Sequence, residues 1–131
     1  MNINITFKDN IKDNYSDFEE IIKLDNYHDI IYINCYGSKL TSLPDLPNSL
    51  LILSCASNYL TSLPELPPSL IGLYCYYNKL NNLPDLPASL KILTCYNNIL
   101  NSLPNLPASL QELYYIGNPI HKYIKKYFKG D

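Results

Sequence analysis

The sequence predicts an α/β solenoid: a coil of stacked turns with a short parallel sheet on its concave face, an extended, proline-rich convex side and helical caps at both ends. Three observations predict it. A twenty-residue phrase runs four times without a gap, beginning at Ile30, Leu50, Leu70 and Leu90, and a partial fifth unit opens at Leu110. Within each full unit an aliphatic residue at position 4 and a cysteine at position 6 alternate with other types, the period-two pattern of a half-buried strand. Two Leu-Pro steps, at positions 14–15 and 17–18, exclude a helix from the return limb, because proline lacks an N–H and pushes the residue before it towards extended conformations.

Taken in order, residues 1–29 are predicted to cap the first unit, since an uncapped solenoid exposes both its core and unpaired strand groups. Ile3, Ile5 and Phe7 alternate as in a strand, and Lys8 to Asn14 is a polar stretch. Ser16-Asp17-Phe18-Glu19 reads as a capping box with Ser16 at the N-cap. The short helix that follows is predicted to run to about Leu24, with Phe18, Ile21 and Ile22 on its apolar face.

Residues 30–117 hold the repeats. Leu53 and Cys55, Leu73 and Cys75, and Leu93 and Cys95 are predicted to point inward from strands about 4.8 Å apart. Leucines at positions 11, 14 and 17 close the core from the other side. Asn58, Asn78, Asn98 and Asn118, at position 9, fall where the chain leaves the strand, and an amide there can serve both the donors and the acceptors of the turning backbone. Ser38 stands at this position in the first unit, a shorter group, so that turn is expected to be looser. The twenty-residue step sets Cys35, Cys55, Cys75 and Cys95 on successive strands, with the outermost pair roughly 14 Å apart, too far for one zinc. They are read as reduced, buried small hydrophobes, as in a reducing compartment.

Leu-x-x-Leu-x-Cys-x-x-Asn-x-Leu followed by x-x-Leu-Pro-x-Leu-Pro-x-Ser resembles a leucine-rich repeat of the short bacterial-effector class, found in type III secreted effectors of Gram-negative pathogens. It is similar also to leucine-rich repeat proteins of giant viruses of amoebae, where cysteine at position 6 and a chain rich in Asn, Ile, Lys and Tyr are familiar. The resemblance covers residues 30 to 120 and implies a right-handed coil with a curved protein-binding surface. Many bacterial members carry a ubiquitin-ligase domain after the repeats; this sequence stops eleven residues past Ile120, so none is expected.

Residues 118–131 are predicted to form a C-terminal helical cap, with Pro119 at its first position, Ile120, Tyr123, Ile124, Tyr127 and Phe128 as its apolar stripe and Gly130 at its end. Four lysines against Asp131 give this segment a charge of +3, compared with −5 for the rest. The lysine face is read as solvated and complementary to the helix C-terminus rather than as a membrane contact. A net charge of −2 over 131 residues argues against nucleic acid as a partner, and no leader or membrane-length apolar run is seen, so a cytoplasmic location, in a host cell's cytoplasm for a host-directed factor, is expected. Asn4-Ile5-Thr6 and Asn14-Tyr15-Ser16 match the glycosylation pattern by chance on this reading.

Function is expected from the variable strand positions. Positions 5, 7 and 8 supply tyrosines clustered in units three to five, and tyrosine offers a large, stiff contact area with a polar tip. The sequence predicts a protein-binding patch of Tyr36, Tyr74, Tyr76, Tyr77, Ile92, Tyr96, Tyr114 and Ile116, centred on Tyr76 and Tyr96. The competing reading is cross-strand aromatic packing that only stabilises the sheet, or a codon bias that fills free positions with tyrosine. Five strands by four residues is roughly 300 Å² in projection, well under the roughly 800 Å² per partner of a standard interface, so affinity is expected to be modest. A structural or self-assembling role, as an oligomer or virion component, is the alternative function, and a monomer or weak homodimer is expected. No enzyme, cofactor or metal is expected: His28 and His121 stand at opposite ends, and the column Asp45, Glu65, Asp85 and Asn105 reads as solvated charge rather than a calcium site.

Overall fold

The computed structural model describes residues 2–120 and shows a β-solenoid of about four turns. The chain runs through β1 (Ile3–Phe7), β2 (Lys12–Tyr15), a one-turn helix α1 (Phe18–Ile21), a 3-10 turn (Tyr27–Asp29), β3 (Ile30–Asn34), β4 (Ile52–Ser54), β5 (Gly72–Tyr74), β6 (Ile92–Thr94) and β7 (Glu112–Tyr114). All seven strands lie in one sheet in the order β2-β1-β3-β4-β5-β6-β7. The twenty-residue step becomes the register directly: Ile33 pairs with Leu53, Leu53 with Leu73, Leu73 with Leu93 and Leu93 with Leu113, all in parallel. No helix or strand lies between one repeat strand and the next, and each return limb closes with the N–H of Leu50, Leu70, Leu90 or Leu110 donating to the carbonyl of the proline three residues before it.

The inner face of the sheet is the core. Ile33, Leu53, Leu73 and Leu93 and the four cysteines are fully buried, packed against Leu50, Leu60, Leu70, Leu80, Leu90 and Leu100. In the fifth unit Tyr115 takes the cysteine position and is itself fully buried, so an aromatic ring stands where the thiol row ends. The thiols are unbridged. Burial pushes those of Cys35 and Cys95 up to about 12 and raises Cys55 and Cys75 as well, with neighbouring thiols adding to the last two, so all four stay protonated at neutral pH.

Two side-chain ladders lock the turns to one another. Asn78 Nδ2 donates to the carbonyls of Cys75 and Tyr76 in its own unit and to that of Cys55 in the unit before, while its Oδ1 accepts from Leu60 N. Asn98 and Asn118 repeat the pattern. Each amide therefore bridges its own turn to the preceding one, which explains why the first unit manages with Ser38: no repeat precedes it. Asn58 serves that first turn, accepting from both Ser38 N and Leu40 N. The turn differs in conformation too, with Lys39 as well as Gly37 at positive φ, where the later turns have a single such residue at position 8. The second ladder has no counterpart in the sequence reading. Ser49, Ser69, Ser89 and Ser109 donate across to the carbonyls of Ile30, Leu50, Leu70 and Leu90 at 2.6–2.7 Å.

The N-terminal segment departs from its prediction in three ways. Lys12–Tyr15, which begins inside the polar stretch Lys8 to Asn14 and is not expected to pair, is an edge strand antiparallel to β1, and β1 in turn pairs antiparallel with β3, so the cap is chiefly a β-hairpin extending the repeat sheet. The N-cap is Asp17, whose carboxylate accepts from Glu20 N, whereas Ser16 Oγ donates to Glu20 Oε1. The helix closes at Ile21, which leaves Ile22 46% exposed instead of on the apolar face. At the other end, Asn118 is buried and Ile120 packs on the core, while residues 121–131 of the expected helical cap lie outside the described residues. Among the described residues no helix is long and apolar enough to cross a membrane.

Candidate functional site

With positions 4 and 6 committed to the core, positions 3, 5 and 7 face outward, and backbone pairing continues past the strands to hold position 8 in register: Ser57 N donates to Tyr76 O, Tyr77 N to Tyr96 O and Asn97 N to Ile116 O. The outer face is thus backed by a continuous ladder, and its side chains stand one strand spacing apart.

Three tyrosines meet there. The rings of Tyr76 and Tyr96, on adjacent units, stack with centroids 4.6 Å apart and planes 6° from parallel. Tyr77 sets its ring edge-on to both, at 6.0 Å from Tyr76 and 5.6 Å from Tyr96. Burial raises the Tyr76 phenol, with the neighbouring phenols of Tyr96, Tyr36 and Tyr74 adding to the effect; burial also raises Tyr96, with Tyr77 and Tyr36 adding. Both hydroxyls stay neutral donors and acceptors at physiological pH. Tyr36 acts on this cluster from two units away, across Ala56, a small side chain that is fully buried.

The other predicted patch residues have more individual placements. Tyr74 turns its ring back along its own strand: a Cβ on Gly72 would lie 3.2 Å from Tyr74 Cε2, so the missing side chain of Gly72 is the space the ring occupies. Ile92 pairs in register with Gly72 on one side and Glu112 on the other. Tyr114 pairs with Thr94 and its hydroxyl donates to Glu112 Oε1 at 3.2 Å. Ile116 ends the position-7 column, about half exposed. The structure therefore brings Tyr76, Tyr77 and Tyr96 into ring contact, sets Tyr36 and Tyr74 within electrostatic reach of Tyr76, and leaves Ile92, Tyr114 and Ile116 on the same face towards the last described strand.

Several features of this face were not signalled by the sequence reading. Thr94, between Tyr74 and Tyr114 on the outer face, is only 7% exposed, and its hydroxyl has no hydrogen-bond partner among the described residues. Tyr59, at the turn edge, has the Lys79 ammonium 5.7 Å from its ring centroid. Glu112 is the single formal charge among the outward positions 3, 5 and 7 of the repeats. No group of three or more His, Cys, Asp and Glu side chains among the described residues could share a metal ion, and Asp45, Glu65, Asp85 and Asn105 are all exposed. His28 Nδ1 accepts from Asn48 N at 3.0 Å, at the N-terminal end.

Neither a protein-family model nor a curated protein matches the sequence. Solved structures do. The leucine-rich repeat domain of a Shigella effector is 43% identical with a TM-score of 0.69, over 70% of this chain and 41% of that one. The leucine-rich effector protein YopM from Yersinia pestis is 39% identical with a TM-score of 0.69, over 72% of this chain and 28% of its own. YopM from Yersinia enterocolitica is 36% identical with a TM-score of 0.54, over 66% and 24% respectively. The chain spans less than half the length of each of these neighbours.

Proposed function

We propose, from the leucine-rich repeat fold of the bacterial-effector type that this chain carries, that it is a non-enzymatic protein–protein interaction module that engages its partner through the tyrosine-rich concave face of the sheet. The observation that carries the proposal is the Tyr76–Tyr77–Tyr96 cluster, three rings in contact on the outward side of a rigid ladder. Aromatic anchors held stiff before binding lose little conformational freedom on contact, which is why such residues dominate interface energetics. The effector character of the Shigella and Yersinia neighbours supports a host-directed role. The likeness to giant-virus repeat proteins rests on the motif and composition, and the neighbours named above are bacterial. Unbridged, protonated cysteines support action in a reducing cytoplasm.

The test is affinity capture from a host-cell lysate with the wild-type chain and the double variant Tyr76→Ser/Tyr96→Ser. Loss of the captured protein in a variant whose far-UV spectrum matches wild type is the expected result. Undiminished capture would remove the face from consideration.

A further inference from the structure

The partner's chemistry can be narrowed further, on the reading that this face binds protein. We propose that the group seated on the tyrosine cluster is a cation, the guanidinium or ammonium of a basic segment of the partner.

Charge placement is the first ground. The outward positions of the five units read Tyr32, Asn34, Tyr36; Ile52, Ser54, Ala56; Gly72, Tyr74, Tyr76; Ile92, Thr94, Tyr96; and Glu112, Tyr114, Ile116. No lysine stands among them. Glu112 alone is charged, and it is tied to the patch through the Tyr114 hydroxyl and the pairing with Ile92. Lys39 and Lys79 lie past the turns, at position 10, and Lys91 stands at position 2 ahead of β6, so none of the three occupies an outward column. Residues 1–120 hold six lysines and eleven acidic side chains, a net charge of −5, and the whole chain stays at −2, a balance that favours basic over acidic segments.

Ring chemistry is the second. The face of an aromatic ring is the negative end of its quadrupole and attracts a cation within about 6 Å. This fold already makes such a contact, where Lys79 lies over Tyr59. On the outer face the rings of Tyr76, Tyr77 and Tyr96 are assembled without any lysine of their own at the outward positions to occupy them.

Backbone conformation is the third. Tyr77 has φ +53°, and the equivalent positions of the first and fifth units hold Gly37 at +64° and Gly117 at +75°. A bulky side chain is rare in that region. Tyrosine stands there in the unit where its ring reaches Tyr76 and Tyr96, and it remains 54% exposed. A residue held against its conformational preference and left about half exposed is one whose side chain has a use outside the fold.

The test uses the full chain, titrated with an acetylated hexa-arginine peptide at 0.15 M salt and followed by the tyrosine ring resonances and the backbone amide resonances, with hexaglutamate and hexaglycine peptides as controls. Shifts at Tyr76, Tyr77 and Tyr96 with hexa-arginine alone are expected. Binding should weaken about fivefold in Tyr77→Gly, the size of one exposed cation–π contact, and about twofold in Glu112→Gln. Since glycine already serves at position 8, Tyr77→Gly keeps the fold, which its melting temperature checks. Shifts confined to Asp45, Glu65 and Asp85, equal shifts with hexaglycine, or wild-type binding by Tyr77→Gly would each overturn the proposal. Lysate capture that depends on Tyr76 and Tyr96 while hexa-arginine leaves the face untouched would discard the cation and retain the protein-binding face.

Discussion

Asn78 and Tyr76 sit two residues apart in one turn and are held by different kinds of partner. Asn78 is buried and bonded entirely to backbone: three carbonyls and one N–H, drawn from two successive units. The contacts of Tyr76 that shape the outer face are with other side chains, the rings of Tyr77 and Tyr96. Backbone is the same in every unit, so a group that bonds to it is wanted every twenty residues. Rings are wanted only where other rings stand, so position 7 runs Tyr36, Ala56, Tyr76, Tyr96 and Ile116 down the stack. The letters that recur build the coil, and those that change are left for the surface.

Removing one member of each column tests that contrast with the largest effect available. Asn58→Ala takes away three donated bonds and leaves the N–H groups of Ser38 and Leu40 without their acceptor inside the protein. A buried polar group stripped of its partner costs roughly 1–3 kcal/mol, so a loss of about 3–5 kcal/mol is expected, read as a fall in the urea midpoint. Tyr76→Ser/Tyr96→Ser gives up the stacked pair and both edge-to-face contacts with Tyr77, about 2 kcal/mol in all. Comparable losses from the two would mean that the tyrosines are built into the fold as firmly as the amides, and the contrast would fail.

How much of this was legible follows the same line. The repeat strands, the buried cysteines and the asparagine ladder all depend on a residue's place in the period, and the period is printed in the sequence. The serines at position 20 recur as faithfully as the asparagines, but their acceptors are carbonyls nineteen residues back, and only the register brings Ser69 to Leu50. β2 could not be seen because Lys-Asp-Asn-Tyr has no alternation: it is an edge strand, exposed along most of its length, and its charges suit an edge that must not pair further. Ser16 and Asp17 are both competent caps, and the choice rests on which oxygen reaches Glu20 N. The tyrosines could be assigned a face from the period, whereas the stacking of Tyr76 on Tyr96 and the fold of Tyr74 over Gly72 depend on side-chain torsions that no spacing records.

The two sides of the sheet should also separate on raising the pH. A thiol that is held neutral in the core but ionises freely in the unfolded chain makes the fold the tighter proton binder. Stability is then fully present below pH 9, the ordinary thiol value, and falls as pH climbs from 9 towards about 12, where Cys35 and Cys95 ionise in the fold. Each such thiol forfeits roughly 1 kcal/mol per pH unit in that window. Urea midpoints at pH 8 and pH 10 should therefore differ clearly, and Cys75→Ala should narrow the gap by one thiol's share. The outer tyrosines, raised from 10, act in the same direction but enter later. A midpoint that does not move between pH 8 and pH 10 would contradict a buried thiol column.

The smallest expected effect bears most directly on which column a residue belongs to. Tyr77→Gly relieves a left-handed conformation that costs a bulky residue about 1 kcal/mol, and it gives up two edge-to-face ring contacts worth about as much. Glycine also loses more freedom on folding than tyrosine does, so the change in stability should fall within about 1 kcal/mol of zero. Gly117 shows why the reverse exchange is not equally open everywhere: a Cβ there would fall 2.0 Å from Asn97 Oδ1, so any side chain in the fifth unit must first displace the Asn97 amide. In the third unit no such constraint retains tyrosine. If Tyr77→Gly lowers the urea midpoint as far as Asn58→Ala does, Tyr77 belongs with the amides that hold the turns together; if the midpoint stays where it was, its ring is there for what it meets in solution.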